Sequence, residues 1–201
     1  MKNKNKLFYL VATSIISAVV LAMTFIPNTG YITIIPNSIE ITTLHIIVCI
    51  GAFALGPKYG AVIGAVWGIS NMLRAFTSPL FILFTNPLIS VVPRILVGLF
   101  AGLVSSALLK KTKLPLTVVG VITAIVGTLT NTVLVLSALH IFGDMLESYK
   151  EMYKIFQSII STIISVNATI EIVAAIIIVP AVGVAIFKAM KNYGIEIKRK
   201  A

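Results

Sequence analysis

The chain has 201 residues, of which 58% are hydrophobic and only 11% are charged, and its mean hydropathy is +1.06. Soluble domains carry roughly 25% charged residues, so this composition excludes an ordinary soluble protein and indicates one integral membrane domain. The net charge of +10 does not by itself indicate nucleic acid, because in a membrane protein the loops that carry Lys and Arg matter more than their sum. Cys49 is the single cysteine, which excludes an intrachain disulfide.

An apolar run over residues 7–26 follows a basic start and predicts the first transmembrane helix. The run is longer than a signal-peptide core and has no clear small-x-small cleavage site, so we expect it to be retained. Ala18 and Ala22 lie four residues apart on one face of this helix and would let another helix approach closely. Residues 27–42 are rich in turn-forming residues and predict a loop with short extended pieces. That loop is either a lid over a cavity or a segment lying in the membrane interface.

Five further helices are predicted, which makes six transmembrane helices in all. The second and third, residues 43–55 and 59–72, are short for a full span and are expected to tilt, to extend further or to sit among longer neighbours. The others cover residues 88–109, 116–141 and 160–187, and a charged amphipathic segment, residues 144–157, is predicted on the outer surface. Pro93 falls in the first turns of the fourth helix and should leave backbone carbonyls free near residues 86–90.

The distribution of positive charge predicts that both termini are cytoplasmic, and an even number of spans agrees with this. The side that bears the N-terminus receives most of the 16 Lys and Arg residues: Lys2, Lys4, Lys6, Lys58, Lys110, Lys111, Lys113, Lys188, Lys191, Lys198, Arg199 and Lys200. The opposite side receives Arg74, Lys150 and Lys154.

Four strongly polar residues then share one depth, in the outer half of the membrane: Arg94, Asn131, Asn167 and Glu171. Groups that line one externally open cavity would share a depth, whereas polar residues scattered for structural reasons would not. The sequence therefore predicts a small-molecule site. Two structural alternatives stay open: Arg94 and Glu171 could form an ion pair between helices, and Asn131 could hydrogen-bond across helices.

Four other residues are candidates at the mouth of this site. Tyr31 and Asn86 could close it, and Arg74 could guide anions towards it rather than bind them. His45 lies near the outer start of the second helix, where an interfacial residue is a simpler interpretation than a ligand contact. Trp67, on the third helix, is interpreted as packing.

The chemistry of the chain argues against catalysis. The sequence has no Walker-type phosphate loop, no His, Asp or Glu cluster at metal spacing, no G-x-S-x-G elbow and no paired acids of the kind a membrane transferase uses. We therefore expect no catalytic residues, no metal site and no cofactor. A channel would need a polar line through the inner half, where the fourth and sixth helices are apolar. These exclusions favour a substrate-binding membrane subunit that needs a partner for energy.

Several motifs carry a resemblance to a known family. They are Ala18-x-x-x-Ala22, Leu55-Gly-Pro-Lys-Tyr-Gly60, Pro93-Arg-Ile-Leu-Val-Gly98, Gly127-Thr-Leu-Thr-Asn-Thr-Val-Leu-Val-Leu136 and the Asn167 and Glu171 face. With these motifs, the chain resembles the S components of energy-coupling factor (ECF) vitamin transporters over nearly its whole length. Further motifs make it most similar to the pantothenate-specific members: Val66-Trp-Gly68, Arg74-Ala-Phe-Thr-Ser-Pro79, Asn86-Pro87 and Thr128-Leu-Thr-Asn131.

The resemblance implies an all-α, six-helix bundle in a prokaryotic plasma membrane that captures a vitamin outside, between the first loop and the outer ends of helices 4 to 6. It also implies docking to a transmembrane T component through the Ala18 and Ala22 face, toppling in the bilayer and release inside. ATP would be used by two partner ATPase subunits.

For a pantothenate-like ligand, Arg94 would bind the carboxylate and Asn131 and Asn167 the hydroxyl and amide groups. Glu171 would accept from a donor or hold Arg94. Other vitamins remain alternatives (hydroxymethylpyrimidine, a B6 vitamer, riboflavin or cobalamin), as does a small carrier or channel subunit outside the ECF group.

Overall fold

Six helices and a β-hairpin form the part of the chain that the computed structural model describes, namely residues 2–35, 39–77, 79–143, 150, 153–154 and 168–195. The helices are α1 (Lys2–Phe25), α2 (Leu44–Leu55), α3 (Pro57–Ala75), α4 (Pro87–Lys111), α5 (Leu116–Phe142) and α6 (Ala168–Asn192). The hairpin consists of β1 (Tyr31–Ile35) and β2 (Ile39–Thr42), and a 3₁₀ helix (Pro79–Thr85) precedes α4. The predicted helical membrane fold with six helices is confirmed.

Helix α2 lies at the centre of the bundle. Helices α1, α4, α5 and α6 are long and apolar enough to cross a membrane, whereas α2 has 12 residues and would be about 18 Å long, against about 30 Å of hydrocarbon. All residues of α2 except Ile47 are buried, and α2 contacts each of the other five helices. A short helix is tolerated here because its neighbours, rather than lipid, surround it.

Glycine and proline set two of the helix boundaries. Gly56 has φ of 89° and separates α2 from α3, a left-handed conformation that favours glycine over residues with a Cβ. Pro57 and Pro87 each stand at the first position of a helix, where the missing N–H costs no hydrogen bond. Helix α3 accordingly covers 19 residues, more than residues 59–72 assigned from sequence.

The segment between α1 and α2 contains the hairpin. We call the end of the bundle on which this hairpin lies the outer end. Tyr31 is opposite Thr42 in the antiparallel register. Asn28 takes a positive φ of 56° in the turn that follows α1, a conformation that asparagine tolerates better than most residues. The Gly30 carbonyl accepts from the Thr43 backbone N–H at 2.9 Å, so the two ends of the hairpin are held together where it joins the bundle.

Helices α3 and α4 pack closely against each other beneath the outer end. A Cβ built at Gly64 would overlap the carbonyl oxygen of Arg94, and one built at Gly68 would come within 2.7 Å of Val91 Cα. The same holds for Gly60 and Gly98, which face each other. Glycine lets the two backbones touch, and this contact brings the outer half of α3 directly beside Arg94.

Parts of two sequence predictions lie outside the described residues. The predicted amphipathic segment, residues 144–157, is described only at Lys150, Tyr153 and Lys154, which are helical. There the Tyr153 hydroxyl lies 3.2 Å from His140 Nδ1. Residues 160–167, the predicted start of the sixth helix, also lie outside the described part, and Asn167 is among them.

Candidate functional site

Tyr31 links the hairpin to α3 at the outer end. Its hydroxyl donates to Asn71 Oδ1 at 2.5 Å and accepts from Trp67 Nε1 at 3.1 Å. Asn71 Nδ2 in turn donates to Ser90 Oγ on α4 at 2.8 Å. Burial raises the pKa of Tyr31 above its usual value, which keeps the hydroxyl protonated and able to donate. Tyr31 therefore holds the hairpin on the bundle through a chain of hydrogen bonds.

Arg94 is the charged group at the centre of the outer end, and only 5% of it is exposed. Its Nη1 donates to the Ile89 carbonyl at 2.7 Å. Its guanidinium carbon lies 5.1 Å from the centre of the Trp67 ring and 5.4 Å from that of Phe84. Arg94 Nε is buried and has no hydrogen-bond partner within the described residues.

Glu171 does not neutralise Arg94 by direct contact. Its Oε1 accepts from the backbone N–H of Thr42, at the end of β2, at 2.9 Å. Within the described residues, the ion pair with N–O separation under 4.0 Å is that of Arg74 with Glu40. Among the described residues, Arg94 is thus a buried guanidinium with no carboxylate within ion-pair distance, and Glu171, which is near enough to act on its charge, connects α6 to the hairpin.

Two more buried polar side chains have atoms without partners. Asn131 on α5 is 7% exposed and its Oδ1 accepts no hydrogen bond within the described part of the chain. His45, at the outer end of α2, is fully buried; neither ring nitrogen makes a hydrogen bond of good geometry to the described residues, although the Thr42 backbone lies close to the ring. His45 lies at the outer start of α2 as predicted, but the structure buries it fully. Buried polar groups are normally satisfied, so these atoms are candidates for contact with a ligand.

The remaining candidates have partners of their own. Arg74 Nη2 lies 2.6 Å from Glu40 Oε1, and its guanidinium carbon is 4.2 Å from the centre of the Tyr31 ring. Asn86 is the N-cap of α4, with its side-chain oxygen accepting from the Leu88 N–H at 2.9 Å. Both residues therefore have structural contacts at the rim of the outer end.

The docking candidates lie on a different surface. Ala18 and Ala22 are exposed on α1, and their neighbours along the same face, Leu7, Val11 and Phe25, are exposed as well. In a bilayer these side chains face either lipid or another membrane protein. Helix α1 is the least buried of the four long apolar helices.

A shallow apolar groove lies between α4 and α5. It is lined by Phe100, Leu129, Thr130, Val133 and Leu134, and Leu129 and Val133 are about half exposed. Its lining suits lipid chains rather than a polar solute. Among the described residues, no three His, Cys, Asp or Glu side chains come together as a metal site.

Sequence reasoning missed three features of the outer end. It interpreted Trp67 as packing alone, but the indole donates to Tyr31 and flanks Arg94. It did not pair Glu40 with Arg74, although the alternation in Ile-Glu-Ile-Thr before α2 is a strand signal that could have placed Glu40. It also did not connect the carbonyl freed by Pro93 with the arginine that follows it.

Comparison with known proteins gives consistent matches. The family model described as ECF transporter, substrate-specific component, matches residues 9–183. The pantothenate transporter PanT of Leuconostoc mesenteroides subsp. mesenteroides is 37% identical over 106 residues, covering 50% of this chain and 52% of that relative. The pantothenic acid transporter PanT of Lactococcus lactis subsp. cremoris is 30% identical over 173 residues, covering 78% of this chain and 83% of the relative. The chain thus spans about half the length of the first relative and most of the second.

Proposed function

Because this chain belongs to the substrate-specific components of ECF transporters, we propose that it captures pantothenate at the outer face of a bacterial plasma membrane for import. The observation that carries the choice of ligand is the buried guanidinium of Arg94, which lacks a paired carboxylate in the described structure. An unpaired buried charge is costly, and the carboxylate of pantothenate would supply the missing counter-charge. The names of the two relatives support the same ligand.

The other polar groups of the outer end suit the rest of this molecule. Asn131 Oδ1 would accept from the amide N–H or a hydroxyl of pantothenate, and His45 could donate or accept with either ring nitrogen. Asn167, which lies outside the described residues, keeps its predicted role in binding hydroxyl or amide groups. Glu171 and Tyr31 would act by holding the hairpin over the ligand.

Two rim residues would play minor parts. Arg74, already paired with Glu40, would affect how fast an anion arrives more than how tightly it is held. Asn86 would support the site by fixing the first turn of α4.

Transport would require partners that supply the energy. We propose that the exposed Ala18 and Ala22 face of α1 docks on a transmembrane T component, that two ATPase subunits use the ATP, and that the bound protein topples to release pantothenate inside. Small residues on an exposed membrane helix permit the close backbone approach that such docking needs. The chain itself would bind no cofactor and catalyse no reaction.

Binding to the purified protein in detergent tests this function directly. Trp67 is the only tryptophan and its ring lies beside Arg94, so its fluorescence should report pantothenate binding without a label. We expect stoichiometric binding in the absence of ATP, and mass spectrometry of the purified protein should detect co-purified pantothenate. The absence of pantothenate binding by both methods would contradict the proposal.

Replacing Arg94 tests the role of its charge. Arg94→Ala should weaken pantothenate binding by about 30-fold or more, the usual cost of truncating one member of a buried, hydrogen-bonded charge pair. Titration calorimetry measures the affinity, and a thermal unfolding curve checks the fold. Arg74→Gln is the matched control, since the charge of Arg74 is already paired and its loss should change the affinity far less. Unchanged affinity in Arg94→Ala would remove Arg94 from the site.

A further inference from the structure

Pro93 leaves one carbonyl of α4 without its normal donor. In an α-helix the carbonyl of residue i accepts from the N–H of residue i+4, and proline has no N–H. The carbonyl opposite Pro93 is therefore that of Ile89, and Arg94 Nη1 donates to it at 2.7 Å. The residue next to the proline thus replaces the hydrogen bond that the proline removes.

This contact decides which edge of the guanidinium remains available. Nη1 lies on the same side of the guanidinium as Cδ, so Nε and Nη2 form the opposite edge, with two parallel N–H donors. Nε is buried without a partner, and Nη2 makes no hydrogen bond to the described residues. Trp67 and Phe84 place their rings 5.1 and 5.4 Å from the guanidinium carbon, which limits the freedom of the group further.

We propose that Pro93 is a positioning residue that presents the Nε and Nη2 edge of Arg94 to a planar carboxylate of the ligand. The proposal rests on the proposed function and specifies its contact: both carboxylate oxygens of pantothenate accept side-on from Arg94. Two parallel N–H donors match the spacing of two carboxylate oxygens. A ligand that carries a hydroxyl in place of the carboxylate satisfies only one donor and supplies no charge.

The test compares pantothenate with panthenol, in which CH₂OH replaces the carboxylate. Pro93→Ala restores a backbone N–H that competes with Arg94 for the Ile89 carbonyl, so the guanidinium loses its fixed orientation. The ratio of pantothenate to panthenol affinity, measured by calorimetry, should fall by about tenfold, the value of one charge-assisted hydrogen bond. Panthenol binding itself should change little, because panthenol does not use the two-donor edge.

A general structural role for Pro93 gives a different result. If Pro93 only shapes α4, Pro93→Ala weakens both molecules equally and the ratio stays constant, which overturns the proposal while leaving pantothenate capture intact. Equal affinity of the wild-type protein for both molecules also overturns it, and failure of the wild-type protein to bind pantothenate contradicts the proposed function as well. Pro180→Ala is the matched control, because Pro180 is also inside a helix but packs on Gly120; its ratio should equal that of the wild type.

A second variant keeps the proposal testable if Pro93→Ala does not fold. Arg94→Lys retains the positive charge and leaves Pro93 in place, but lysine has no two-donor edge. The affinity ratio should fall by about tenfold in this variant too. If the ratio of pantothenate to panthenol affinity equals that of the wild-type protein, the positive charge alone distinguishes the two molecules, and the side-on contact is overturned.

Discussion

The outer end of the bundle and the outward face of α1 differ in which side chains they bury: the outer end buries polar groups, whereas the face of α1 exposes apolar ones. The outer end buries Arg94, Asn131 and Glu171, each less than 10% exposed. The face of α1 exposes large apolar residues such as Leu7 and Ile15 at more than 60%. In a bilayer an exposed apolar side chain is in its preferred solvent, so its exposure costs nothing. Buried polar groups are the costly feature, and in this protein they are the basis of the proposed site.

The two surfaces should also separate binding from transport, and Ala18→Trp should give the largest effect. A bulky ring on the outward face of α1 would prevent close docking, so uptake by the complete transporter should be lost, while pantothenate binding to the isolated protein remains. Val133→Trp is the control, because Val133 is also exposed but lies on α5, and it should leave uptake intact. Retained uptake in Ala18→Trp would rule out this docking face.

Glu171→Ala should have an intermediate effect, confined to the outer end. The change removes the oxygen that accepts from the Thr42 N–H and loosens the hairpin, so pantothenate should dissociate about tenfold faster, as expected from a loss of about 1–2 kcal/mol. Glu171→Gln keeps an acceptor oxygen and should dissociate at nearly the wild-type rate. Stopped-flow Trp67 fluorescence measures both rates. If the glutamine variant behaves like the alanine variant, the carboxylate itself, rather than the hydrogen bond to Thr42, is required.

Tyr31→Phe should have the smallest effect, on stability. It removes the hydroxyl between Asn71 and Trp67 and leaves the buried Asn71 oxygen without this donor, which should cost about 1 kcal/mol of unfolding free energy. Tyr193→Phe is the control, because Tyr193 is 66% exposed and should not change the unfolding midpoint. Thermal unfolding in the same detergent measures both variants. An unchanged midpoint in Tyr31→Phe would mean that water replaces the lost hydroxyl.

Local patterns in the sequence predicted most of the helices well, because the capping and turn residues that start and end a helix lie within a few residues of its ends. Asn86 followed by Pro87 supplies a cap and a first helical residue, and Gly56 followed by Pro57 separates two helices. The ends of α3 were less well predicted. Its last turn, up to Ala75, is stabilised by contacts with residues far along the chain, and such contacts leave no signal in a short window.

The outer end was predicted only in part, for the same reason. Depth along each helix placed Arg94, Asn131 and Glu171 in one layer, because rise per residue and charge topology suffice for that inference. Which of them touch could not follow from depth. Glu171 proved to contact the hairpin rather than Arg94, since the side chain that reaches a given group depends on helix rotation and on where the loop packs.

By itself, the sequence determined that this is a six-helix membrane protein with an arginine buried in its outer half. Hydropathy and proline positions suffice for this, because they set where helices form and end through interactions within a few residues. Tertiary structure alone decided how that arginine is held. Close packing of α3 on α4 at Gly64 brings Trp67 to the guanidinium, and Glu40 pairs with Arg74 rather than with Arg94. Such contacts depend on the packing of helices and the hairpin against one another, and they leave Arg94 Nε without a hydrogen-bond partner among the described residues.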